Sequence, residues 1–180
     1  MTEPVVRAAS RADGSALNAI YNRYIVGSHV SFDTAAWTDA ARTEWLTDRL
    51  AAGYPVLVAE IDGTVVGGSW AGPWRTKEAY RWSAETTIVL HPDATGRGLG
   101  RTLYGALLDE LAKRGFHRAF AIIALPNDAS VALHERLGFT QLGTLDEAGF
   151  KDGRWISTML LERRLASGER DPGFQIPDPS

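Results

Sequence analysis

The chain contains no cysteine among its 180 residues. This absence excludes disulfide bonds, thiolate metal sites and a cysteine nucleophile. Positive charge is not in excess either, because 19 lysine and arginine residues stand against 22 aspartate and glutamate residues, for a formal net charge of −3. Binding to nucleic acid or to a membrane surface relies on a basic excess, so neither partner is expected.

Long apolar runs are also missing. The longest ones are short, such as Ala119 to Leu125, whereas a membrane-spanning helix needs roughly 20 apolar residues. The first residues, Met1 to Pro4, lack the charged start and the apolar run of a signal peptide. The sequence therefore predicts a cytoplasmic protein.

What the sequence does contain is an alternation of strand and helix patterns over residues 1–165. A strand is followed by two helices, a hairpin with an Asp62-Gly63 turn, a long strand, a helix, a strand, a short helix and two strands. This order predicts one mixed α/β domain, with a central mixed sheet and helices on both faces. The predicted strands are Val5 to Ala8, Val56 to Ile61, Thr64 to Trp70, Trp82 to Leu90, Arg118 to Leu125, Phe139 to Glu147 and Trp155 to Leu161.

Two segments are expected to lie outside regular structure. Gly72-Pro73 is predicted to break the second strand of the hairpin. Residues 166–180 are rich in glycine, proline and charge, and they are predicted to form a flexible tail.

The most informative segment joins a predicted strand to a predicted helix through Gly96, Gly98 and Gly100. Glycine permits positive φ and lets the backbone approach a ligand closely. The helix start that follows offers free N–H groups and the positive end of the helix dipole. Because Arg97 and Arg101 add positive charge, a pyrophosphate is the expected ligand. A glycine-rich turn that binds nothing is the alternative.

Two common nucleotide-binding motifs do not fit this loop. The dinucleotide fingerprint places its third glycine three residues after the second, whereas Gly98 and Gly100 are two apart. The P-loop has four residues between its glycines and then a lysine. Here three residues separate Gly96 from Gly100, and Arg101 follows.

Thr95 to Gly100 resembles the pyrophosphate loop of the Gcn5-related N-acetyltransferase family, whose pattern is Gln/Arg-x-x-Gly-x-Gly/Ala. Thr95 departs from the first position of that pattern. Further blocks resemble the phosphinothricin acetyltransferase branch of this family, over nearly all of residues 4–162. They are Ala71 to Trp74, Tyr80, Trp82 to Leu108, Leu125 to Phe139 and Ala148 to Lys151.

The resemblance implies the family fold and transfer of an acetyl group from acetyl-CoA to the amine of a small amino-acid-like substrate. Phosphinothricin, methionine sulfone and methionine sulfoximine are the substrates of this kind. Ile156-Ser157 departs from the His-Asp that the branch commonly carries there, which leaves the exact substrate open. The resemblance also implies a homodimer and no metal.

In the family, acetyl-CoA lies in a V-shaped opening between two parallel strands, which correspond here to Ile88 to Leu90 and Arg118 to Leu125. A backbone N–H of the first of these strands is the implied donor to the oxyanion. The residues implied to bind the cofactor are Ile88, Val89, Leu90, Gly96, Arg97, Gly98, Leu99, Gly100, Arg101 and Asn127.

Acetylation of an amine requires a base for the ammonium, an N–H donor for the oxyanion and a proton for the departing thiolate. Glu85 lies in a strand with apolar neighbours, where desolvation would raise its pKa and suit a base. A solvent-facing glutamate is the alternative. His134, on the short helix, is by itself only a partly buried polar residue. The resemblance implies that Glu85 is the base and that His134 is an acid or part of the proton path.

Arg75, Lys77 and Tyr80 follow the predicted strand break and offer donors that suit an acidic substrate. A solvated surface loop is the alternative. The resemblance implies that these three residues bind the substrate and that Phe32 lines its site.

Two rival functions remain at this point. One is a non-catalytic acetyl-CoA-binding module, which would need neither Glu85 nor His134. The other is an acetyltransferase for protein N-termini or polyamines. A polyamine site would require acidic residues where this loop presents Arg75 and Lys77.

Overall fold

The computed structural model describes residues 3–165, which form seven strands and four α-helices. The predicted tail, residues 166–180, lies outside them. The order of elements agrees with the predicted order. The elements are β1 (Val5–Ala8), α1 (Gly14–Gly27), α2 (Asp39–Ala51), β2 (Val56–Ile61), β3 (Thr64–Pro73), β4 (Ser83–Leu90), α3 (Leu99–Lys113), β5 (Arg118–Ala124), α4 (Asp128–Arg136), β6 (Thr140–Lys151) and β7 (Arg154–Arg164).

All seven strands form one sheet in the order β1-β2-β3-β4-β5-β7-β6, in which β4 and β5 are the parallel pair. Alternate residues of β2 show where the helices pack. Val56 and Val58 are buried with residues of α1 and α2, whereas Leu57 and Ala59 pack with residues of α3. Because neighbouring strand residues project from opposite faces, α1 and α2 cover one face and α3 covers the other. The predicted mixed sheet with helices on both faces is confirmed.

Two strand boundaries differ from the prediction. β3 continues through Gly72 to Pro73, which pairs with Ala84 of β4. Proline is tolerated there because β2 pairs with β3 only as far as Trp70, so the missing N–H has no ladder partner to lose. The last hairpin is also longer than predicted, because its strands meet at an Asp152-Gly153 turn with both residues at positive φ.

The parallel pair at the centre of the sheet is short. Within residues 3–165 the ladder between β4 and β5 runs only from Ser83–Arg118 to Glu85–Phe120. Beyond this point β4 pairs with β3 alone and β5 with β7 alone. The two strands therefore diverge and leave an opening at the middle of the sheet.

Helix α3 is fixed firmly on one face of the sheet, with its first turn beside this opening. Its apolar stripe is almost fully buried, as expected for a helix whose apolar residues recur every three or four positions. The buried residues of the stripe are Leu99, Leu103, Tyr104, Leu107, Leu108 and Leu111. No helix within residues 3–165 is long and apolar enough to cross a membrane.

Candidate active site

A cavity of about 850 Å³ lies where β4 and β5 diverge. Its walls come from both strands, the loop before α3, the first turn of α3, helix α4, and α1 with the loop after it. The structure thereby brings together most of the predicted cofactor residues and both predicted catalytic residues. Those that line the cavity are Glu85, Ile88, Val89, Leu90, Gly96, Gly98, Gly100, Arg101, Asn127 and His134.

Two predicted cofactor residues lie outside this lining. The side chain of Arg97 is exposed on the outer side of the loop. Leu99 is buried in the core with Ala59, Ala94 and Leu103, so that only its backbone can face a ligand. The helical period explains why the Leu99 side chain is buried, because Leu99 lies one turn before Leu103 on the same apolar stripe of α3.

The glycine loop has the backbone that an anion site requires. Gly96 and Gly98 have φ values of 77° and 78°, and Gly98 is the N-cap of α3. A Cβ atom at either position would meet open space, so the backbone is accessible from the cavity side. The N–H groups of the first turn have no partner inside the helix. A pyrophosphate therefore fits this loop. Thr95, which replaces the usual Gln or Arg, donates its hydroxyl to the Pro92 carbonyl at 2.8 Å.

Glu85 and His134 border the same cavity from opposite faces of the sheet. Glu85 projects on the face of α1 and α2, together with Val89, and is half-buried. Burial raises the pKa of the Glu85 carboxyl above its usual range, while the positive charges of Arg75 and, to a smaller extent, Arg49 oppose that rise. The group is thus a carboxylate in a partly desolvated environment, which strengthens it as a base.

His134 is almost fully buried, with 3% of its surface exposed. Its Nδ1 lies 2.7 Å from the Ser130 carbonyl oxygen. Since a carbonyl only accepts, Nδ1 must carry the proton, and in the neutral ring the lone pair is on Nε2. Burial lowers the pKa of His134, and the bond to the carbonyl offsets only part of this effect. At neutral pH His134 can therefore accept a proton, and it can act as an acid only after doing so.

Residues 17–139 match the model of the Acetyltransferase (GNAT) family. This chain belongs to the GNAT acetyltransferase family. It is 45% identical over 176 residues to a phosphinothricin N-acetyltransferase of Streptomyces viridochromogenes, an alignment that covers 97% of this chain and 90% of that one. It is 37% identical over 166 residues to an L-methionine sulfoximine/L-methionine sulfone acetyltransferase of Salmonella typhimurium, with 89% and 94% covered.

Among solved structures, the chain is similar to a phosphinothricin acetyltransferase of Sinorhizobium meliloti in complex with acetyl-CoA. The TM-score is 0.89 at 31% sequence identity, with 93% of this chain and 91% of that chain covered. The predicted family, fold and acetyl-CoA-dependent N-acetyltransferase class are confirmed, with acetyl-CoA as the cosubstrate. A non-catalytic acetyl-CoA-binding module is not supported.

The free edge of β4 in this acetyltransferase is held at both ends by hydroxyl groups. The Thr86 hydroxyl donates to the Phe120 carbonyl at 3.0 Å and lies 2.7 Å from the Tyr104 hydroxyl. At the other end, the Tyr24 hydroxyl donates to the Leu90 carbonyl at 2.6 Å. The backbone between these points pairs with β3 on one side only, which leaves the N–H groups on the side that faces β5 available to a ligand.

Asn127 is the N-cap of α4 and also borders the cavity. Its Oδ1 accepts a hydrogen bond from the Ser130 N–H at 3.2 Å. Asn127 can therefore cap the helix and still face a ligand in the cavity, as the resemblance implies. Because Ser130 in turn accepts from His134, the cap of α4 also orients the imidazole.

The loop after α1 forms a wall that the sequence patterns did not indicate. Val30 and Ser31 line the cavity, as do Tyr21 and Tyr24 of α1. Lys151 of β6 holds this loop, because its buried Nζ donates to the carbonyls of Ile25, Ser28 and Ser31 at 2.6, 2.9 and 2.7 Å. The Ala148 to Lys151 block was the available signal, although no local pattern shows which carbonyls a lysine reaches.

The four predicted substrate residues lie outside the lining of the cavity. Arg75 is exposed, and its guanidinium lies 4.6 Å from the centre of the Trp74 ring. Trp74 itself stacks on Phe120 of β5 at 4.3 Å. This stack places the charge of Arg75 close enough to affect the pKa of Glu85. Lys77 is exposed on the same connection between β3 and β4.

Tyr80 and Phe32 complete this predicted set. Tyr80 is 44% exposed and Phe32 is 43% exposed. The Phe32 ring lies so close to Gly149 of β6 that a Cβ atom there would overlap it. Of the four residues, only Arg75 therefore has an electrostatic link to Glu85. Within residues 3–165, no group of three or more His, Asp or Glu side chains is placed to hold a metal ion.

Proposed function

We propose that this GNAT acetyltransferase acetylates the α-amino group of a small acidic or strongly polar amino acid, of the kind represented by phosphinothricin, methionine sulfone and methionine sulfoximine. The observation that carries the proposal is the half-buried Glu85 carboxylate, which borders the cavity with two arginines close by. A carboxylate beside cations complements a substrate that has an ammonium group and an acidic group.

We assign the cofactor contacts from the same geometry. When bound, acetyl-CoA supplies the activated acetyl group. The N–H groups at the start of α3, after Gly98, hold its pyrophosphate, and Arg101 adds charge. The free edge of β4 from Ile88 to Leu90 holds the arm, with Asn127 opposite. An N–H of this edge also stabilises the negative charge that develops on the acetyl oxygen. No residue is assigned to a metal.

Glu85 and His134 divide the proton transfers in this proposal. Glu85 takes a proton from the substrate ammonium, directly or through water, so that the free amine can attack. His134, which presents the lone pair of Nε2, lies on the proton path and provides the proton for the departing thiolate once it has accepted one. The two groups face the cavity from opposite faces of the sheet, which suits an acceptor amine on one side and a leaving group on the other.

Arg75, Lys77 and Tyr80 hold the acidic or polar side-chain group of the substrate, and Phe32 lines its site. Support comes from the position of Arg75 near Glu85 and from the donors that follow it along the same connection. Because these residues are exposed, their contribution is to binding rather than to the chemical step.

Arg75→Ala should raise KM for the amino acid by about 10-fold or more, because a charge-assisted hydrogen bond is worth about 1.5–3 kcal/mol. Lys77→Ala should have a smaller effect, because Arg75 and not Lys77 is among the charges that affect the pKa of Glu85. Acetyl-CoA affinity should not change in either variant. Steady-state kinetics and calorimetry would measure both quantities, with the exposed Arg11→Ala as a charge control. Unchanged KM in both variants would show that this connection is only a surface feature.

We also propose that the enzyme is a cytoplasmic homodimer. The cytoplasmic assignment follows from its use of acetyl-CoA, and cell fractionation would test it. The dimer is supported by exposed apolar side chains on the last hairpin, where Phe150 and Trp155 are 58% and 60% exposed and contact each other edge to face. Leu142 and Leu145 are each 51% exposed on β6.

Trp155→Glu should convert a dimer into a monomer, because it places a charge within the proposed apolar contact. Sedimentation velocity at micromolar concentration would measure the change. A wild-type protein that sediments as a monomer would refute the dimer without affecting the assignment of the reaction.

The function itself is tested by a CoA-release assay on a panel of amines. We expect turnover of phosphinothricin, methionine sulfone or methionine sulfoximine, and of ordinary amino acids to a lesser extent. Peptides with free N-termini and polyamines are included as the rival acceptors. Turnover of these alone would replace the proposed substrate class, while the acetyltransferase assignment would stand.

A further inference from the structure

Arg49 of α2 lies directly beside Glu85, although nothing in the sequence patterns connects the two. A Cβ atom on Gly72 would overlap Nη1 of Arg49. Gly72 is the residue of β3 that pairs with Glu85 of β4. Directly paired residues project their side chains from the same face of a sheet, about 5 Å apart. The Arg49 guanidinium therefore occupies the side-chain position next to Glu85, and the absence of a side chain at Gly72 leaves room for it.

Aromatic rings hold the guanidinium in this position. It lies 5.2 Å from the centre of the Trp45 ring and 5.9 Å from that of Tyr54. Trp45 is itself packed edge to face against the buried Trp70, which belongs to the same face of the sheet. The position of Arg49 is thus fixed before any ligand binds, which lowers the entropic cost of binding one.

Apart from the charge of Glu85 nearby, the guanidinium has no anionic partner among residues 3–165. Within residues 3–165 its N–H groups donate no hydrogen bond, and no carboxylate oxygen lies within 4 Å of its nitrogen atoms. Because Arg49 is only half-buried, its unpaired N–H groups remain available to an anionic ligand. Arg49 instead presents a planar set of donors beside the proposed base, and this set matches the geometry of a carboxylate.

We propose that Arg49 binds the α-carboxylate of the substrate and thereby restricts this enzyme to α-amino acids. This inference rests on the proposed function. When the substrate ammonium lies at Glu85, the carbon of its α-carboxylate is only two bonds from the ammonium nitrogen, so the α-carboxylate must also lie close to the Glu85 carboxylate. A cation fixed beside Glu85 offsets the repulsion between the two carboxylates and orients the amine. Arg75 then remains for the acidic side-chain group, so that two cations meet the two acidic groups of a substrate such as phosphinothricin.

The test compares two substrates that differ only in this group, methionine sulfone and its carboxamide. Arg49→Met keeps the length of the side chain and removes the charge. It should raise KM for the amino acid by about 10- to 100-fold, as expected for a lost charge-assisted hydrogen bond, and KM for the carboxamide by less than about three-fold. Arg49→Lys, which keeps the charge but not the fork of donors, should give an intermediate increase for the amino acid only.

The controls separate this role from a structural one. Arg23→Met removes the same charge from an exposed position on α1 and should change neither KM. Thermal unfolding and acetyl-CoA affinity report whether each variant is folded. Should Arg49→Met fail to fold, KM for the amino acid and for the carboxamide is compared in Arg49→Lys and Arg49→Gln instead.

Equal changes for the amino acid and the carboxamide would overturn the proposal, because packing of α2 or a shifted pKa of Glu85 affects both substrates alike. This result leaves the proposed function intact, provided that the wild-type enzyme turns over amino acids. A wild-type enzyme that accepts no amino acid would overturn both.

Discussion

Glu85→Gln is expected to lower kcat/KM by at least about 100-fold at pH 7, since general-base assistance typically contributes 10²–10⁴-fold. Glutamine has nearly the shape of glutamate, so the fold and acetyl-CoA affinity should be retained. What is lost is the carboxylate that borders the cavity and that we propose takes the ammonium proton. Glu44→Gln, which changes an exposed glutamate of α2, is the matched control and should behave as wild type.

The pH dependence identifies the cause of this loss. Burial raises the pKa of Glu85, so wild-type activity should fall on the acid side as Glu85 becomes protonated, at a higher pH than for an ordinary glutamate. The Gln variant should lack this acid limb. Its defect should shrink as the pH rises, because solvent then deprotonates the amine without help. A pH–rate profile from about pH 4 to 10 covers the ordinary ranges of a carboxyl group, a histidine and an amine. A Glu85→Gln profile superimposable on wild type would remove Glu85 from the mechanism.

His134→Ala provides the contrast within the same experiment. If His134 supplies the proton for the thiolate, its defect should persist at high pH, where leaving-group assistance is still required. A defect that vanishes at high pH would place His134 on the base side, with Glu85 orienting it. The two profiles together therefore assign each proton transfer to one residue.

Gly98→Val is expected to weaken acetyl-CoA binding by at least about 100-fold, which corresponds to about 2.7 kcal/mol. Gly98 has a φ of 78° at the N-cap of α3, and a β-branched residue is a strong outlier in that region. Gly98 also borders the cavity, so the new side chain would stand next to the N–H groups that we propose bind the pyrophosphate. Isothermal titration calorimetry with acetyl-CoA measures the loss directly.

The control for backbone strain is Gly63→Val. Gly63 has a φ of 75° in the hairpin turn and equally open space around it, but it lies away from the cavity. Both variants should lose stability by a similar amount, of order 1–3 kcal/mol, and only Gly98→Val should lose cofactor affinity. Equal affinity in the two variants would remove the glycine loop from the cofactor site.

The fold and the glycine loop could be predicted from the sequence because their requirements are local. The Asp62-Gly63 turn, the strand that leads into Gly96 to Gly100 and the apolar stripe of α3 each depend on residues close together in the chain. Residue types and their spacing indicate where the backbone takes positive φ and where the helical period holds. The strand around Glu85 left a base and a solvent-facing glutamate open, and it was the resemblance to the family that indicated a base.

Only the tertiary structure decided what surrounds these residues. The resemblance implied that Leu99 binds the cofactor, and the packing of α3 shows that only its backbone can do so, because the side chain lies in the core. The sequence predicted neither the contact of Lys151 with the loop after α1 nor the bond that places the proton of His134 on Nδ1. Arg49 reaches Glu85 only because α2 packs across β3 at a position without a side chain. The reason is physical, because desolvation and Coulomb interactions depend on distance in space and on burial, and both are set by elements far apart in the chain.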